Sequence, residues 1–350
     1  MSDRFRELLK KVGSGTHTSK SLTREEATQA TLMMLQQQAT PAQIGAFMIA
    51  HRIKRPTSEE LAGMLDAYHL LGKKISIAHL TGNKTPVCFG NPYDGRSRTV
   101  PVMPITALIL ATVEIPVILH GGDCMPTKYG LSLGKIWQQL SIDFSGLALA
   151  DLETCLLQTK IAFVYLPLHF PEAQSLVPYR EQIGKRPPFA TIELIWSPVK
   201  EVIPIICGFV HPPTEKNIRD TFEIRGVKQS TTVKGLEGSC DLSRNRTAII
   251  GSSQAGEFER LIIHPRDYNL DGSDLELTSE QQAIEAIQAV IQGKSTELTP
   301  SAILNGGFYL WHLGICADLN QGLNLATELI TQGKLAAKLN QLQTFNTLNI

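Results

Sequence analysis

The sequence has no net charge: 33 basic residues stand against 33 acidic ones in a chain of 350. The molecule as a whole therefore offers no long-range attraction to a polyanion. Aromatic residues make up only 6%, and none interleave with a basic stripe of the kind that grips nucleic acid. The six cysteines, Cys88, Cys124, Cys155, Cys207, Cys240 and Cys316, are scattered without a C-x-x-C pair. Neither a zinc site nor a disulfide framework is expected, and a reducing cytosol fits best. The opening MSDRFRELLKK lacks the apolar core of a secretory signal, and the longest apolar run, ending before Glu114, is about ten residues, too short to cross a bilayer. A cytoplasmic protein without membrane insertion is the expectation. Disorder is excluded as well, because 43% of residues are apolar and only 19% charged.

The length allows about two domains, or a large one carrying a smaller one. Charge is unevenly spread: residues 1–130 hold 15 Lys/Arg against 10 Asp/Glu, a net of +5, and the rest carries −5. An anionic partner should therefore meet the first third, whose densest basic cluster is Arg52, Lys54 and Arg55, with Lys73 and Lys74 nearby.

The first 75 residues read as four helices. Phe5, Leu8, Leu9 and Val12 follow i, i+3, i+4, i+7 spacing, which places them on one helical face. Three capping boxes then pair Thr23 with Glu26, Thr40 with Gln43 and Thr57 with Glu60, so that hydroxyl and carboxyl or amide satisfy exposed helix-start amides reciprocally. Pro41 occupies a first helical position, where its missing N–H is harmless. Leu61, Met64, Leu65 and Tyr68 form the inward stripe of the fourth helix.

From residue 84 the pattern changes to short β-rich runs alternating with helical ones. Val87–Phe89, Val117–Leu119, Ile161–Val164, Val202–Cys207 and Ser230–Val233 read as strands of a mostly parallel sheet. Thr247–Ile250 and Glu259–Ile263 read as an antiparallel appendage, and helices punctuated by Gly293, Gly314, Gly322 and Gly333 complete the chain. The expected architecture is α/β. A small N-terminal helical domain spans 1–75, joined by part of 165–190, and a large α/β domain spans 76–350, its mostly parallel sheet flanked by helices.

Ligands of a parallel α/β sheet bind beyond the carboxyl ends of its strands. Two loops lie there. GNPYDGRSRT, residues 90–99, brings Gly90 and Gly95 for close backbone approach, Asp94, the planar donors Arg96 and Arg98, and the hydroxyls of Ser97 and Thr99. Pro92 removes one backbone donor from it. HGGDCMPTKYG, residues 120–130, adds a titratable His120, Gly121 and the point charge of Lys128. Read alone, the first loop is equally consistent with a surface turn, and a histidine such as His120 is more often structural than catalytic.

These features together resemble anthranilate phosphoribosyltransferase and its wider glycosyltransferase family 3 relatives, over nearly the whole chain. The resemblance rests on the helical start with ATPAQIGAFMIAHRIK at 39–54, His120-Gly121 after a strand, and the Asn305 helix before a glycine-punctuated C-terminus. It implies a fold of the nucleoside phosphorylase/phosphoribosyltransferase type, with the active site between the domains. The family's Gly-Thr-Gly-Gly-Asp-Gly pyrophosphate loop corresponds to Gly90 through Gly95, with three of six positions changed. Its ribose-phosphate Asn/Ser/Thr cluster is replaced by Val100, Pro101, Val102 and Met103, and of its Lys-His-Gly-Asn motif only His120 and Gly121 remain. HFPEAQSLVPYREQIGKR, residues 169–186, matches the family's arginine motif. It places Arg180 where the aromatic carboxylate would be held and Arg186 at the second arginine. The Mg²⁺-binding Asp-Glu pair falls on Cys240 and Asp241, with Glu237 as a substitute for the thiol, since magnesium favours carboxylate oxygen.

The resemblance thus implies a divergent branch of anthranilate phosphoribosyltransferase-like proteins. The first reading is a pentosyltransferase that binds phosphoribosyl pyrophosphate or a related phosphorylated ribose. Arg96, Arg98 and Lys128 would take phosphate, Asp94 and His120 the ribose or leaving group, and Arg180 an acidic acceptor. Mg²⁺ would enter with the pyrophosphate, and the protein would be a homodimer. With so many motif positions altered, anthranilate transfer is expected to be slow or absent. A second reading is a noncatalytic dimer that binds nucleic acid through the basic first third, and a third is a scaffold that keeps the fold alone.

Overall fold

The computed structural model describes residues 3–15, 17–80 and 84–349; the outer ends of the expected domains, at 1 and 350, lie outside the described residues. Four helices come first: α1 (Asp3–Gly13), α2 (Arg24–Leu35), α3 (Pro41–Lys54) and α4 (Ser58–Leu71). All three expected capping boxes form, with Thr23, Thr40 and Thr57 each accepting from the N3 amide and receiving the reciprocal bond. Phe5, Leu8 and Val12 are buried, and Phe5 packs on Phe47 of α3 at 5.4 Å between ring centroids.

One capping residue does more than cap. Glu60 is wholly buried, and its carboxylate accepts from the amides of Thr57 at 2.7 Å and Leu22 at 2.9 Å and from Lys54 Nζ at 2.7 Å, with His51 at 3.5 Å. It thereby joins the α3–α4 turn to the segment leading into α2. Lys54, counted in the basic cluster, is turned inward by this pair.

The second layer is a seven-stranded sheet in the order β3-β2-β1-β4-β5-β6-β7. In chain order its units are β1 (Val87–Gly90), α5 (Met103–Thr112), β2 (Val117–Gly121), α6 (Leu133–Gln139), α7 (Leu149–Thr159) and β3 (Ile161–Tyr165). There follow α8 (Leu166–His169), α9 (Pro171–Gln174), α10 (Val177–Ile183), α11 (Phe189–Ile195), β4 (Ile205–Gly208), α12 (Pro212–Ile224) and β5 (Gln229–Val233). The chain ends with β6 (Ala248–Gln254), β7 (Glu257–Ile263), α13 (Glu280–Ile291), α14 (Thr299–His312), α15 (Leu319–Thr331) and α16 (Lys334–Asn349). Strands β1 to β5 are mutually parallel and buried almost throughout, as continuous apolar runs covered on both faces should be.

One strand expectation is corrected and one is borne out. The hairpin β6–β7 is antiparallel as expected, and it is appended to the edge of the main sheet: β6 pairs with β5, antiparallel, from Val233↔Ile250 to Gln229↔Gln254, and so covers an open edge. The fourth strand begins at Ile205 rather than Val202. Pro204 has no N–H to give to the ladder, although its carbonyl still accepts from Cys88 at 3.0 Å, and Val202 stands 79% exposed.

Segment 166–196 leaves the sheet and packs into the apolar core of the helices. Tyr68 of α4 meets Phe170 at 5.0 Å and Trp196 at 5.8 Å between centroids, with Phe189 on its other side. The carboxyl ends of the central strands are thus roofed by this segment, and the loops that follow those strands converge beneath.

Glu60 supplies a test. Burial alone would raise its pKa, but His51, Lys54 and the Leu22 amide outweigh burial and hold it at about 2, below the ordinary 4.5. A carboxylate depressed in the folded state contributes stability that is complete above its unfolded pKa and is lost as pH falls through the folded one. Glu60→Ala should cost about 3–5 kcal/mol at neutral pH, because it leaves Lys54 buried without a partner. In urea unfolding followed against pH, the gap between wild type and variant should close as pH falls from 4.5 towards 2; a gap independent of pH would contradict the assignment.

Candidate functional site

The loop after β1 folds back through a single glycine. Gly95 sits at φ +72°, and a Cβ there would lie 2.6 Å from the Leu131 carbonyl. Only glycine lets Arg96 pair with Leu131, whose amide donates to the Arg96 carbonyl at 2.7 Å while the Arg96 amide returns the bond at 3.1 Å. The two loops picked out from the sequence are stapled together here.

Arg96 points inward, 3% exposed. Its Nη1 donates to Asp241 Oδ2 at 2.7 Å and Ser239 Oγ at 3.1 Å, its Nε to Glu237 Oε1 at 3.2 Å, and its Nη2 to Thr99 Oγ1. Glu237 in turn accepts from the amides of Ser97 at 3.1 Å, Arg98 at 3.0 Å and Thr99 at 3.4 Å, from Ser97 Oγ at 3.2 Å and from Lys128 Nζ at 2.7 Å. Three successive backbone amides and two cations aimed at one point form an anion-binding concavity, and a carboxylate fills it. Burial works to raise the Glu237 pKa, but Lys128 and the amides of Arg98 and Ser97 overcome it and hold the group at about 2. Burial lowers the Lys128 ammonium against the pull of Glu237, and it raises Asp241 against the pull of Arg96. Asp241 also accepts from the Val102 amide at 3.1 Å, while its Oδ1 is buried without a partner. The side chain of Arg98 lies outside on an exposed residue.

A second cluster lies under α10 and α11. Asp94, wholly buried, accepts from Arg186 Nε at 2.6 Å and from its Nη2, with Arg180 Nη2 at 3.3 Å. Arg180 donates through Nη1 to Glu193 at 2.7 Å and meets Met125 Sδ at 3.2 Å. Burial pushes Glu193 up against Arg180; for Arg186, burial pulls down but Asp94 prevails and the guanidinium pKa rises. Around them Tyr68, Tyr93, Met125 and Phe189 leave a cavity of only about 20 Å³. His120 is buried, with Tyr93 Oη on its Nδ1 at 2.6 Å and the Trp196 ring 5.5 Å away. Burial depresses it to about 3, so the imidazole is neutral at physiological pH.

The structure therefore brings Arg96, Ser97, Thr99, Lys128, Glu237 and Asp241 into one cluster and Asp94, Arg180 and Arg186 into another. The two meet through the short Asp94–Arg96 loop. His120 and Gly121, at the end of β2, pack on aromatic rings rather than on these charges, and a Cβ on Gly121 would lie 3.3 Å from Phe163. Gly90 spares a collision with the chain itself, since a Cβ there would sit 1.8 Å from the Leu194 carbonyl. Cys240 is sealed: its Sγ donates to the Gly90 carbonyl at 3.2 Å, and burial pushes the thiol far up. Glu193 escaped the sequence reading, although a lone acid inside the apolar run FATIELIW was its signal. Open space adjoins the first cluster, a cavity of about 560 Å³ lined by Arg96, Ser97, Asp123, Ser132 and Lys135 among others. Among the described residues, no group of three or more His, Cys, Asp or Glu is placed to hold a metal ion, and no helix is long and apolar enough to cross a membrane.

Comparison with known proteins agrees with this two-layer fold. The helical bundle domain of a glycosyl transferase family matches residues 6–70, and the a/b domain of that family matches residues 94–336. The anthranilate phosphoribosyltransferase of Azorhizobium caulinodans is 26% identical over 346 residues, covering 97% of this chain and 96% of that protein. Its counterpart from Methylobacterium sp. (strain 4-46) is 26% identical over 348 residues, covering 97% and 98%. Among solved structures, anthranilate phosphoribosyltransferase from Thermus thermophilus superposes with a TM-score of 0.79 at 16% identity, covering 99% of this chain and all of that one. The Saccharomyces cerevisiae enzyme in complex with PRPP and Mg gives 0.82 at 15% identity over 99% of both. At these identities the superpositions show a shared fold.

The contrast between buried and exposed arginine is measurable. Asp241→Ala leaves the buried Arg96 with Glu237 as its single carboxylate and should cost about 1.5–3 kcal/mol in chemical denaturation, while Arg98→Ala at the surface should stay within about 0.5 kcal/mol of wild type. Equal costs would contradict the burial and pairing described.

Proposed function

The chain belongs to the glycosyl transferase family with a helical bundle and an a/b domain, and on that premise we propose that this anthranilate phosphoribosyltransferase-like protein binds a phosphoribosyl ligand, phosphoribosyl pyrophosphate in the first instance, between its two domains. The observation that carries this reading is the concavity of Ser97, Arg98 and Thr99 amides with Arg96 and Lys128. It is chemistry for an anion, at the carboxyl end of a parallel strand. The domains implied are 1–75 with part of 165–190, and 76–350. A cytoplasmic homodimer completes the proposal.

In pentosyl transfer the bond from the ribose anomeric carbon to pyrophosphate breaks, its electron pair leaves on the pyrophosphate, and a lone pair of the acceptor forms the new bond to that carbon. Stabilising that departing charge and holding the reactants in line account for most of the rate. Arg98 and Lys128 would take phosphate oxygens at the open side, and Asp94 would hold Arg186 in place beside the ribose. Neutral His120, behind Tyr93, would fix the loop rather than move a proton.

Mg²⁺ enters this proposal with the pyrophosphate, and the residues present fit that mode. Asp241 Oδ1 is a hard, buried oxygen without a partner, whereas the oxygens of Glu237 already accept from amides and Lys128. Asp241 would supply the protein's share, with Glu237 the next carboxylate in the same cluster. The ion would neutralise charge on the leaving group, most of its ligands being phosphate and water oxygens.

By resemblance Arg180 stands where an aromatic carboxylate would be held, and here Glu193 and Asp94 already neutralise it in a nearly filled space. We therefore propose that anthranilate is a poor acceptor. Loss of one preorganised electrostatic donor costs ~10²–10³ in rate, so anthranilate turnover should fall far below the ~10 s⁻¹ of an ordinary enzyme; turnover near that value would refute it. For the ligand itself, isothermal titration with phosphoribosyl pyrophosphate and Mg²⁺ should show binding that Lys128→Ala and Arg98→Ala each weaken by about 1.5–3 kcal/mol. Unchanged affinity in both folded variants would remove the assignment.

A further inference from the structure

The anion concavity is not open, because the chain has placed its own carboxylate in it. Three consecutive amides, the Ser97 hydroxyl, Lys128 and one edge of Arg96 are all bonded to Glu237. A ligand anion cannot share these donors with a carboxylate at hydrogen-bond distance. Either the concavity is a purely structural clasp, or Glu237 must leave when the ligand arrives.

Three observations favour departure. Glu237 is held in the left-handed region, at φ 55° and ψ 22°, a conformation uncommon for a residue with a side chain. Gly238 follows at φ +84° with no backbone atom close to where its Cβ would be. Arg96 and Lys128 are matched in this cluster by Glu237 and Asp241, and the neighbouring Arg98 side chain is exposed with no ion pair among the described residues, so its charge is left to favour an anion of higher charge over a single carboxylate. Lastly, Arg96 and Ser97 border the cavity of about 560 Å³, which brings open space to one side of the concavity, whereas Asp241 on the inner side stays bound to Arg96 and the Val102 amide.

We propose that Glu237 is a displaceable internal anion: it occupies the 97–99 amide concavity in the free protein, and a phosphate or pyrophosphate group enters by exchanging with it. The inference rests on the phosphate-binding reading of the 90–99 loop and adds a gate to it. The gate sets a threshold on affinity. A singly charged carboxylate ligand cannot win the exchange against an intramolecular one, while a multiply charged phosphate can.

The test is titration calorimetry with inorganic pyrophosphate alone on wild type, Glu237→Gln and Glu237→Ala. Glu259→Gln on β7 serves as a control of equal charge change. Both Glu237 variants should bind pyrophosphate about tenfold or more tightly than wild type, the worth of a charge-assisted contact no longer contested, and the control should match wild type. Adding Lys128→Ala to Glu237→Gln should reverse the gain. Should Glu237→Ala fold poorly, the isosteric Gln variant keeps the loop's shape, and the upward shift of its unfolding temperature by pyrophosphate reads the same affinity. Equal pyrophosphate affinity in wild type and variants, or no binding in any, overturns the exchange. Pyrophosphate binding by the variants without phosphoribosyl pyrophosphate binding keeps the exchange and removes the phosphoribosyl reading. Equal phosphoribosyl pyrophosphate affinity in wild type and variants keeps that reading and removes the exchange.

Discussion

Arg96 lies almost wholly inside the protein, and a guanidinium cannot shed its charge at any pH a cell reaches. The loops around it are therefore arranged to supply carboxylates: Asp241 from the segment after β5 on one edge and Glu237 on the other. Glu237, drawn into place, orders the amides of 97–99 and holds Lys128 from the β2 loop. Three separate stretches of chain converge because one buried cation needs partners. Such a cluster contributes little net stability, since desolvation offsets most of the attraction; it fixes geometry, because removing Arg96 leaves buried Asp241 without a cation.

The same rule joins the helical layer to the sheet. Asp94, on the same loop as Arg96, faces Arg180 and Arg186 from the segment that packs with α3 and α4, and Glu193 of α11 completes the set. The interface between the layers is thus part aromatic, through Tyr68, Phe170 and Trp196, and part ionic. A ligand that engages Lys128 or Arg186 alters the balance of charge on both sides of the interface at once.

Much of this was legible in the sequence. Capping boxes are local chemistry, so Thr23, Thr40 and Thr57 announced their helices from three-residue spacings, and the parallel strands announced themselves as apolar runs. Strand ends were less legible because Pro204 acts through a missing hydrogen bond, which an apolar count does not see. The hairpin β6–β7 was legible as an antiparallel pair, but not that β6 would pair with β5, because strand partners are chosen in three dimensions. At the site, both loops and every residue of the two charge clusters except Glu193 were nameable from composition and resemblance. Their pairing was not: nothing in GNPYDGRSRT says that Arg96 turns inward while Arg98 turns out, or that a glutamate some 140 residues later closes on the amides between them. Charge pairing depends on three-dimensional proximity and burial, and a sequence displays neither.

The central claim is that the 97–99 amides form an anion site held shut by Glu237. A crystal structure of the wild-type protein grown with pyrophosphate addresses it most directly. The account predicts a phosphate group on the amides of Ser97, Arg98 and Thr99 and beside Lys128, with the Glu237 carboxylate withdrawn from all of them and Asp241 still paired with Arg96. Pyrophosphate bound elsewhere, with Glu237 still accepting from those amides, would contradict it.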